Sequence, residues 1–428
     1  MIKPAKENET KSEHIENRVT VDEKGHLIIP EAIKKFMGAE NHADIKIVVK
    51  KDRVELYPNI HSLSKVYIEP TTLCNLSCKT CVRNTWEESI GEMSLETFDR
   101  LIDQLKSFKC LQTIMFGGFG EPTYHKNIQY MIGKAKTIAE KVEMVSNGTL
   151  LDDNMLQGFI DNKLDALWVS FDGTSEKLFE EIRSGANYTN VVESLLKLKT
   201  LNSKSEHKVK VGITFVLMKD NIGELTSLKK IANYLGANMV SVSNVIPYSE
   251  DMSRQTLYNM SISQLDETKI LNTFEMSLPL IDINKNTQEH LNQLYKSNQN
   301  ISIMRRDMFN VRDECRFIKE RCTFVRWDGE ISPCMGLLHS NTTYINSGRT
   351  ERCAKNYSLG NIIDTPLLEI WHSKEYIDFR NKVDEFDFSP CHLCGGCHFS
   401  EENEEDCFGN SFPTCGGCLW AQGVIQCP

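Results

Sequence analysis

The sequence predicts an α/β protein built on a parallel sheet, with a small β-rich module before it and a cysteine-organised region after it. Three observations predict this. Between Lys65 and about Tyr248, short apolar runs alternate with segments of helical period. Residues 18–57 hold four short alternating runs around one brief helix. Eleven of the 15 cysteines lie between Cys315 and Cys427.

Taken in order, the stretch from Met1 to about Asn17 is charged and reads as a tail (1–17). Arg18–Val21 and His26–Ile29 alternate around the turn Glu23-Lys24-Gly25. Pro30 suits the start of a short helix ending near Gly38. The β runs Ile45–Val49 and Val54–Tyr57 complete a module over 18–60. It is too small for a large core of its own, and such modules gain burial by dimerising.

The region 61–250 follows. Val66–Ile68 is its first strand, and Ser94 caps a helix with the apolar face Leu95, Phe98, Leu101, Ile102 and Leu105. Strands at Thr113–Phe116, Val142–Val145, Ala166–Phe171, Val209–Leu217 and Met239–Val245 alternate with helices. These helices fall at Ile128–Ile138, Met155–Ile160, Glu176–Arg183, Val191–Leu201 and Leu225–Leu235. Six strands with helical crossovers imply a parallel sheet, either open and doubly wound or a partial barrel. Residues 251–311 are polar and read as a helical connector. Residues 312–428 are poor in long periodic segments, so metal sites are expected to organise them.

At 428 residues, the chain allows two or three domains. With 40% hydrophobic and 25% charged residues, it is not a largely disordered chain. A net charge of −10 argues against a surface that coats nucleic acid. No run approaches the ~20 apolar residues of a membrane span, and the N-terminus lacks a signal-peptide core. The expected location is the cytoplasm. In a reducing compartment this many cysteines point to metal or redox chemistry.

The first motif is Cys74-Asn-Leu-Ser-Cys78-Lys-Thr-Cys81, on the loop after the first strand of the β/α region. Active sites of β/α folds lie at such strand ends. Three thiolates at this spacing suit a [4Fe–4S] cluster with one iron left open. The competing reading is a zinc knot with a distant fourth ligand. Gly117-Gly118-Phe119-Gly120-Glu121-Pro122 follows the second strand, and glycines let a backbone edge approach a ligand closely. Ser146-Asn147-Gly148-Thr149 ends the third strand and Ser170-Phe171-Asp172-Gly173 the fourth. Arg183 lies in Glu-Glu-Ile-Arg-Ser-Gly.

These motifs, in this order, resemble the radical S-adenosylmethionine (radical SAM) superfamily. The resemblance implies a partial (β/α)6 TIM-like barrel whose Cys74, Cys78 and Cys81 hold a catalytic [4Fe–4S] cluster. In the family, the open iron binds SAM and an electron cleaves it to a 5′-deoxyadenosyl radical. An external donor such as ferredoxin or flavodoxin is then expected. Gly117, Gly118, Gly120 and Glu121 would face the SAM amino group. Ser146, Asn147, Ser170 and Asp172 would meet its ribose and methionine parts, and Arg183 its carboxylate. For Arg183 the competing reading is a solvated helix-end arginine.

The later cysteines resemble the SPASM extension of peptide- and protein-modifying members, which typically carries two auxiliary [4Fe–4S] clusters. By that order Cys315, Cys322, Cys334 and Cys418 are assigned to the first. Cys391, Cys394, Cys415 and Cys427 are assigned to the second, with Cys397 and Cys407 as alternatives. Zinc sites are the competing reading. Cys353 falls in an apparent insertion, Ser340–Asn356, and Cys110 stands apart; neither receives a role. Trp371 reads as a core anchor. Sulfatase-maturating members have an Asp base after the third cysteine; here Met335 follows Cys334, so that role is not supported.

The N-terminal module is similar to the AbrB/MazE swapped-hairpin family, which dimerises and often binds DNA. Residues 1–60 carry about eleven basic and eleven acidic side chains, and His26 stands where a basic residue is usual. DNA binding depends on phosphate neutralisation, so a homodimer or partner-docking role is favoured. The tail from Asp406 to Pro428 resembles maturases encoded beside tungsten-pterin oxidoreductases. The leading expectation is a maturase acting on a tungsten- or molybdenum-pterin oxidoreductase or its cofactor. The alternatives are a maturase of ribosomal peptides, forming thioether or C–C crosslinks, and a DNA-binding iron–sulfur sensor.

Overall fold

The computed structural model describes residues 20–24, 26–38, 45–49, 54–258, 275–279, 281, 285–287, 289–290, 293–294, 301–303, 314–345, 350–389 and 403–428. The expected N-terminal tail, Gly25, Cys391, Cys394 and Cys397 lie outside these residues. The chain forms two compact units, Met1–Ser62 and Leu63–Pro428.

In the first unit, β1 (Thr20–Val21) pairs antiparallel with β2 (Leu27–Ile28), and β3 (Lys46–Val49) with β4 (Val54–Tyr57). Asp22 closes the first turn: its Oδ1 accepts the N–H of Lys24 and of His26, at 2.9 and 2.8 Å. Helix α1 (Glu31–Met37) follows Pro30 and stops at Gly38, whose φ of 66° is left-handed. The small module leaves Leu27, Ile28, Ile47, Val49 and Val54 each more than half exposed.

The second unit is built on one ten-stranded sheet. Strands β5 (Lys65–Ile68), β6 (Thr113–Phe116), β7 (Lys141–Ser146), β8 (Ala166–Ser170), β9 (Lys210–Leu217) and β10 (Met239–Asn244) are all parallel and lie side by side in sequence order. One face of these strands is buried, while the other is half-buried on β7 and β10, where Val145, Ser241 and Ser243 alternate with buried neighbours. The covering helices are α2 (Leu95–Leu105), α3 (Ile128–Lys136), α4 (Asp153–Asp161), α5 (Glu176–Ile182), α6 (Tyr188–Lys204) and α7 (Leu225–Leu235). On α2 the expected apolar face is buried through Phe98, Leu101, Ile102 and Leu105, while Leu95 is exposed; the Ser94 hydroxyl accepts the Thr97 N–H at 3.0 Å.

The sheet extends beyond these six strands on both sides. Past β10, β11 (Glu275–Leu278) and β12 (Ile301–Ile303) add in parallel. These strands fall within the expected helical connector over 251–311, most of which lies outside the described residues. Met276 and Leu278 alternate into the core, but their strand lies in a polar stretch outside the alternating strand–helix series. On the other side, β13 (Cys322–Val325) lies parallel to β5, with Cys322 opposite Lys65, and β14 (Ile331–Ser332) closes that edge antiparallel. The cysteine-rich region therefore shares the sheet of the β/α region. It adds the hairpin β15 (Asn341–Ile345) and β16 (Thr350–Ala354) and the helices α8 (Leu367–Trp371) and α9 (Lys374–Glu385). Trp371 is fully buried, 3.9 Å from the Arg380 guanidinium and edge-on to Tyr376. No helix among the described residues is long and apolar enough to cross a membrane.

Candidate functional site

The three cysteines of the first motif sit on the loop after β5, and this loop is pinned from two sides. Ser77 and Lys79 donate their N–H groups to the carbonyls of Ser184 and Ile182, at 3.1 and 2.9 Å. Glu121 donates its N–H to Leu73 O at 2.8 Å. The first contact brings Arg183 in, with Nη1 3.9 Å from Cys78 Sγ. Asn147 approaches from the end of β7, its Nδ2 3.7 Å from Cys74 Sγ and donating to Asn75 Oδ1 at 3.0 Å. Burial pushes the Cys78 thiol up to about 11, against the pull of Arg183, and burial also raises Cys81. Buried thiols that raise one another need a cationic centre to ionise, and an iron–sulfur cluster supplies it. Among the described residues no three such side chains close to the spacing of one ion's ligands. Thiolates of a cubane bind different irons and do not need that spacing.

The glycine-rich segment follows β6, and two of its glycines are required by close approach. A Cβ on Gly120 would stand 2.0 Å from Thr71 O. A Cβ on Gly118, at φ +137°, would stand 2.6 Å from Glu69 Cγ. Gly117 donates its N–H to Ile68 O at 3.0 Å. Glu121 turns its carboxylate inward. Oε1 accepts from Thr123 N (3.0 Å), Thr123 Oγ1 (2.5 Å) and Ser146 Oγ (2.8 Å), and Oε2 from Asn147 N (2.6 Å). Burial raises its pKa, and those four donors oppose the shift. Glu121, Ser146 and Asn147 thus form one knot that holds two strand-end loops together.

Asp172 and Arg183 meet as a buried ion pair at 2.9 Å. Burial works against the Arg183 charge, but Asp172 and Cys78 outweigh it and hold the guanidinium above its ordinary value. Arg183 is only 9% exposed, so the solvated reading fails. Asp172 Oδ1 also accepts Val216 N at 2.7 Å, which ties the end of β8 to β9. Ser170 Oγ accepts from Thr214 at 3.2 Å.

A cavity of about 240 Å³ opens at the strand ends, between Tyr67, Gly117, Gly118, Thr214, Asn244 and Tyr248. Thr80, between two motif cysteines, reaches its wall. None of the described residues lining it has a charged side chain. Residues Ile425–Pro428 form its far side. That segment is tied to β10, where Asn244 Nδ2 donates to Val424 O at 3.0 Å and Gln426 N to Ser243 Oγ at 3.1 Å. It is also tied to β5, where Lys65 Nζ and Tyr67 OH both donate to Pro428 O at 3.3 Å. The sequence singled out the tail by its resemblance and Cys427 as a candidate ligand, whereas Tyr67 carried no sequence signal.

In the cysteine-rich region, Cys315, Cys334, Cys415 and Cys418 act on one another electrostatically. Burial pushes Cys315 up to about 12, and the neighbouring sulfur of Cys418 adds to it. Four half-buried cysteines that raise one another in this way fit a metal cluster as well as the first motif does. Cys322 is buried on β13 near Tyr67, and Cys427 lines the cavity together with Tyr67. Cys353 and Cys407 are exposed, and Cys110 is buried beside Arg321.

Residues 68–229 match the model of the radical SAM superfamily, and residues 315–398 match SPASM, an iron–sulfur cluster-binding domain. A Pyrococcus furiosus relative, the tungsten-containing aldehyde ferredoxin oxidoreductase cofactor-modifying protein, is 31% identical over 371 residues. The match spans 85% of this chain and 96% of the relative. The PqqA peptide cyclase of Bradyrhizobium diazoefficiens is 24% identical over 203 residues, 47% of this chain and 52% of its own. Among solved structures, Streptococcus suis SuiB bound to S-adenosylmethionine aligns with a TM-score of 0.50 at 17% identity, over 78% of this chain and 71% of that one. The AdoMet-bound structure of anSMEcpe aligns with a TM-score of 0.50 at 15% identity, over 85% and 92%. These two share the fold. With a near full-length relative and both domain models in the order of its motifs, this chain belongs to the radical SAM superfamily, as an enzyme of the SPASM subgroup that binds a [4Fe–4S] cluster and SAM.

Proposed function

We propose that this enzyme is a maturase for a tungsten- or molybdenum-pterin oxidoreductase, modifying that protein or its cofactor. The single observation that carries the reading is the match to the Pyrococcus furiosus cofactor-modifying protein, which runs through 96% of that relative. A [4Fe–4S] cluster bound here would supply the electron for reductive SAM cleavage, the source of the family's hydrogen-abstracting chemistry. Cys74, Cys78 and Cys81 are the residues to hold it, with Asn147 and Arg183 directing N–H groups at two of the sulfurs. Gly117 and Gly118 offer SAM a backbone edge on the cavity. Glu121 and Ser146 act on it by fixing that edge, since each is already hydrogen-bonded within the protein. Asp172 sets Arg183.

Two auxiliary [4Fe–4S] clusters would lie in the SPASM region. The proximity of Cys315, Cys334, Cys415 and Cys418 supports one set and would move Cys415 into it beside Cys418. A ferredoxin- or flavodoxin-type donor in the cytoplasm fits the electron demand. The exposed apolar residues of both N-terminal hairpins support a homodimer through that module. The partial match to a peptide cyclase favours, as a second reading, a peptide substrate.

The test is anaerobic reconstitution, with dithionite and SAM, beside Cys78→Ala. Deoxyadenosine from the first and none from the second is expected. Addition of the partner oxidoreductase should then raise the yield, and a precursor peptide should not. No cleavage by a fully loaded protein refutes the reading.

A further inference from the structure

We propose that Glu69 and His339 form a latch through which the segment Cys334–Ser340 holds the glycine-rich segment in position for SAM. The inference rests on the reading above that this segment seats SAM. Glu69 directly follows β5, and His339 comes from the cysteine-rich region 270 positions later. Each is 1% exposed. His339 Nε2 lies 2.8 Å from Glu69 Oε2. The other carboxylate oxygen, Oε1, accepts the backbone N–H of Phe119 at 3.0 Å. One carboxylate therefore grips the glycine-rich segment with one oxygen and His339 with the other.

The surroundings are shaped to this grip. Gly118 has no Cβ where one would strike Glu69 at 2.6–2.9 Å. The His339 ring packs on Trp86 at 4.7 Å and on Phe119 at 5.7 Å. Glu88, seven residues after Cys81, accepts Ser340 N at 2.8 Å, so the loop that carries the cluster motif joins the same point. Arg326 stands 4.0 Å from Glu88. His339 Nδ1 is 3.6 Å from Glu88 Oε2, too long for a hydrogen bond. Burying a carboxylate beside an apolar strand is costly without full partners, and a hydrophobic pair would serve packing alone. What the polar pair adds is a fixed position for the Phe119 backbone. Met335, on the same segment as His339, lines the cavity together with Gly118. Glu69 and His339 are thus positioning residues, and they make the seat for SAM depend on a segment anchored at Cys334.

The test uses the reconstituted full-length protein, with SAM binding by anaerobic calorimetry and amide exchange across residues 117–120. His339→Leu removes the donor, and Glu69→Asp shortens the carboxylate so that it cannot span both partners. Each should raise the SAM dissociation constant roughly tenfold, the effect of losing a hydrogen bond to a charged group. Exchange at 117–120 should quicken, with iron and sulfide content unchanged. His339→Gln keeps a donor and should bind SAM within about threefold of the parent. If His339→Leu does not fold, Glu69→Asp decides. Unchanged affinity in the folded variants overturns the latch. Weakened affinity without faster exchange at 117–120 also overturns it, because the effect would not run through the segment. A parent protein that binds no SAM would instead overturn the reading of the site, and the latch with it.

Discussion

Replacing Gly120 by alanine tests the core of the site reading. The new Cβ would stand 2.0 Å from Thr71 O and 2.8 Å from Leu73 O, both backbone atoms on the cysteine loop. An ordinary contact begins near 3.4 Å, so the two loops must part by roughly 1.4 Å. That separation breaks the 2.8 Å bond from Glu121 N to Leu73 O, worth about 1 kcal/mol. The larger effect is geometric. A misplacement of about 1 Å at a reacting centre can cost on the order of 100-fold in rate. Gly120→Ala should therefore retain its iron and its fold, yet form deoxyadenosine at least ~100-fold more slowly. The assay is single-turnover SAM cleavage with dithionite, beside iron analysis and circular dichroism. A loaded, folded Gly120→Ala protein that cleaves SAM at the parent rate would show that this segment does not set the reacting geometry.

Three further outcomes are expected. Asp172→Asn strands the buried Arg183 charge, a loss of about 3–5 kcal/mol, and should lower the thermal midpoint by roughly 5–10 °C in differential scanning fluorimetry. Asn244→Ala leaves Val424 O without its donor and should cost about 1–3 kcal/mol in denaturant titration. It should also raise protease cleavage after residue 420. Val49→Asp places a charge on the exposed hairpin face, where Val49 is 77% exposed, and should turn a dimer into a monomer in light scattering, while deoxyadenosine formation persists.

The sheet was legible where strand and helix periods alternate over long spans. The strand Thr113–Phe116 and the helix Leu225–Leu235 keep their expected bounds, because turn residues flank both. The strands β11 and β13 were not legible. β11 lies in a stretch that reads as polar, and β13 finds its partner β5 only by long-range packing. The cysteine motif was legible because three identical, chemically distinctive residues recur within eight positions. Glu69 and His339 were not, since a lone acid and a lone histidine 270 positions apart carry no local pattern. Arg183 stood between two readings in the sequence, and its pairing with Asp172 could be known only after α5 folded against the cysteine loop. Glu121 shows a subtler gap. Its place in the glycine-rich motif was readable, but the inward turn of its carboxylate follows from the donors that β7 supplies.

The segment Val424–Pro428 gives the enzyme an order of assembly. Its first anchor, Val424, sits 180 positions after Asn244, the strand residue that receives it. During synthesis, all ten strands of the sheet can pair before that wall arrives. A nascent chain can therefore acquire its first cluster while the chamber stands open along one side. Radical chemistry in such an open chamber would be quenched by solvent and by the protein itself. Because that wall follows all ten strands in the chain, the chamber can close only after the cysteine-rich region has been made. A misassembled cysteine-rich region would therefore leave the cavity without the wall that Ile425–Pro428 supply.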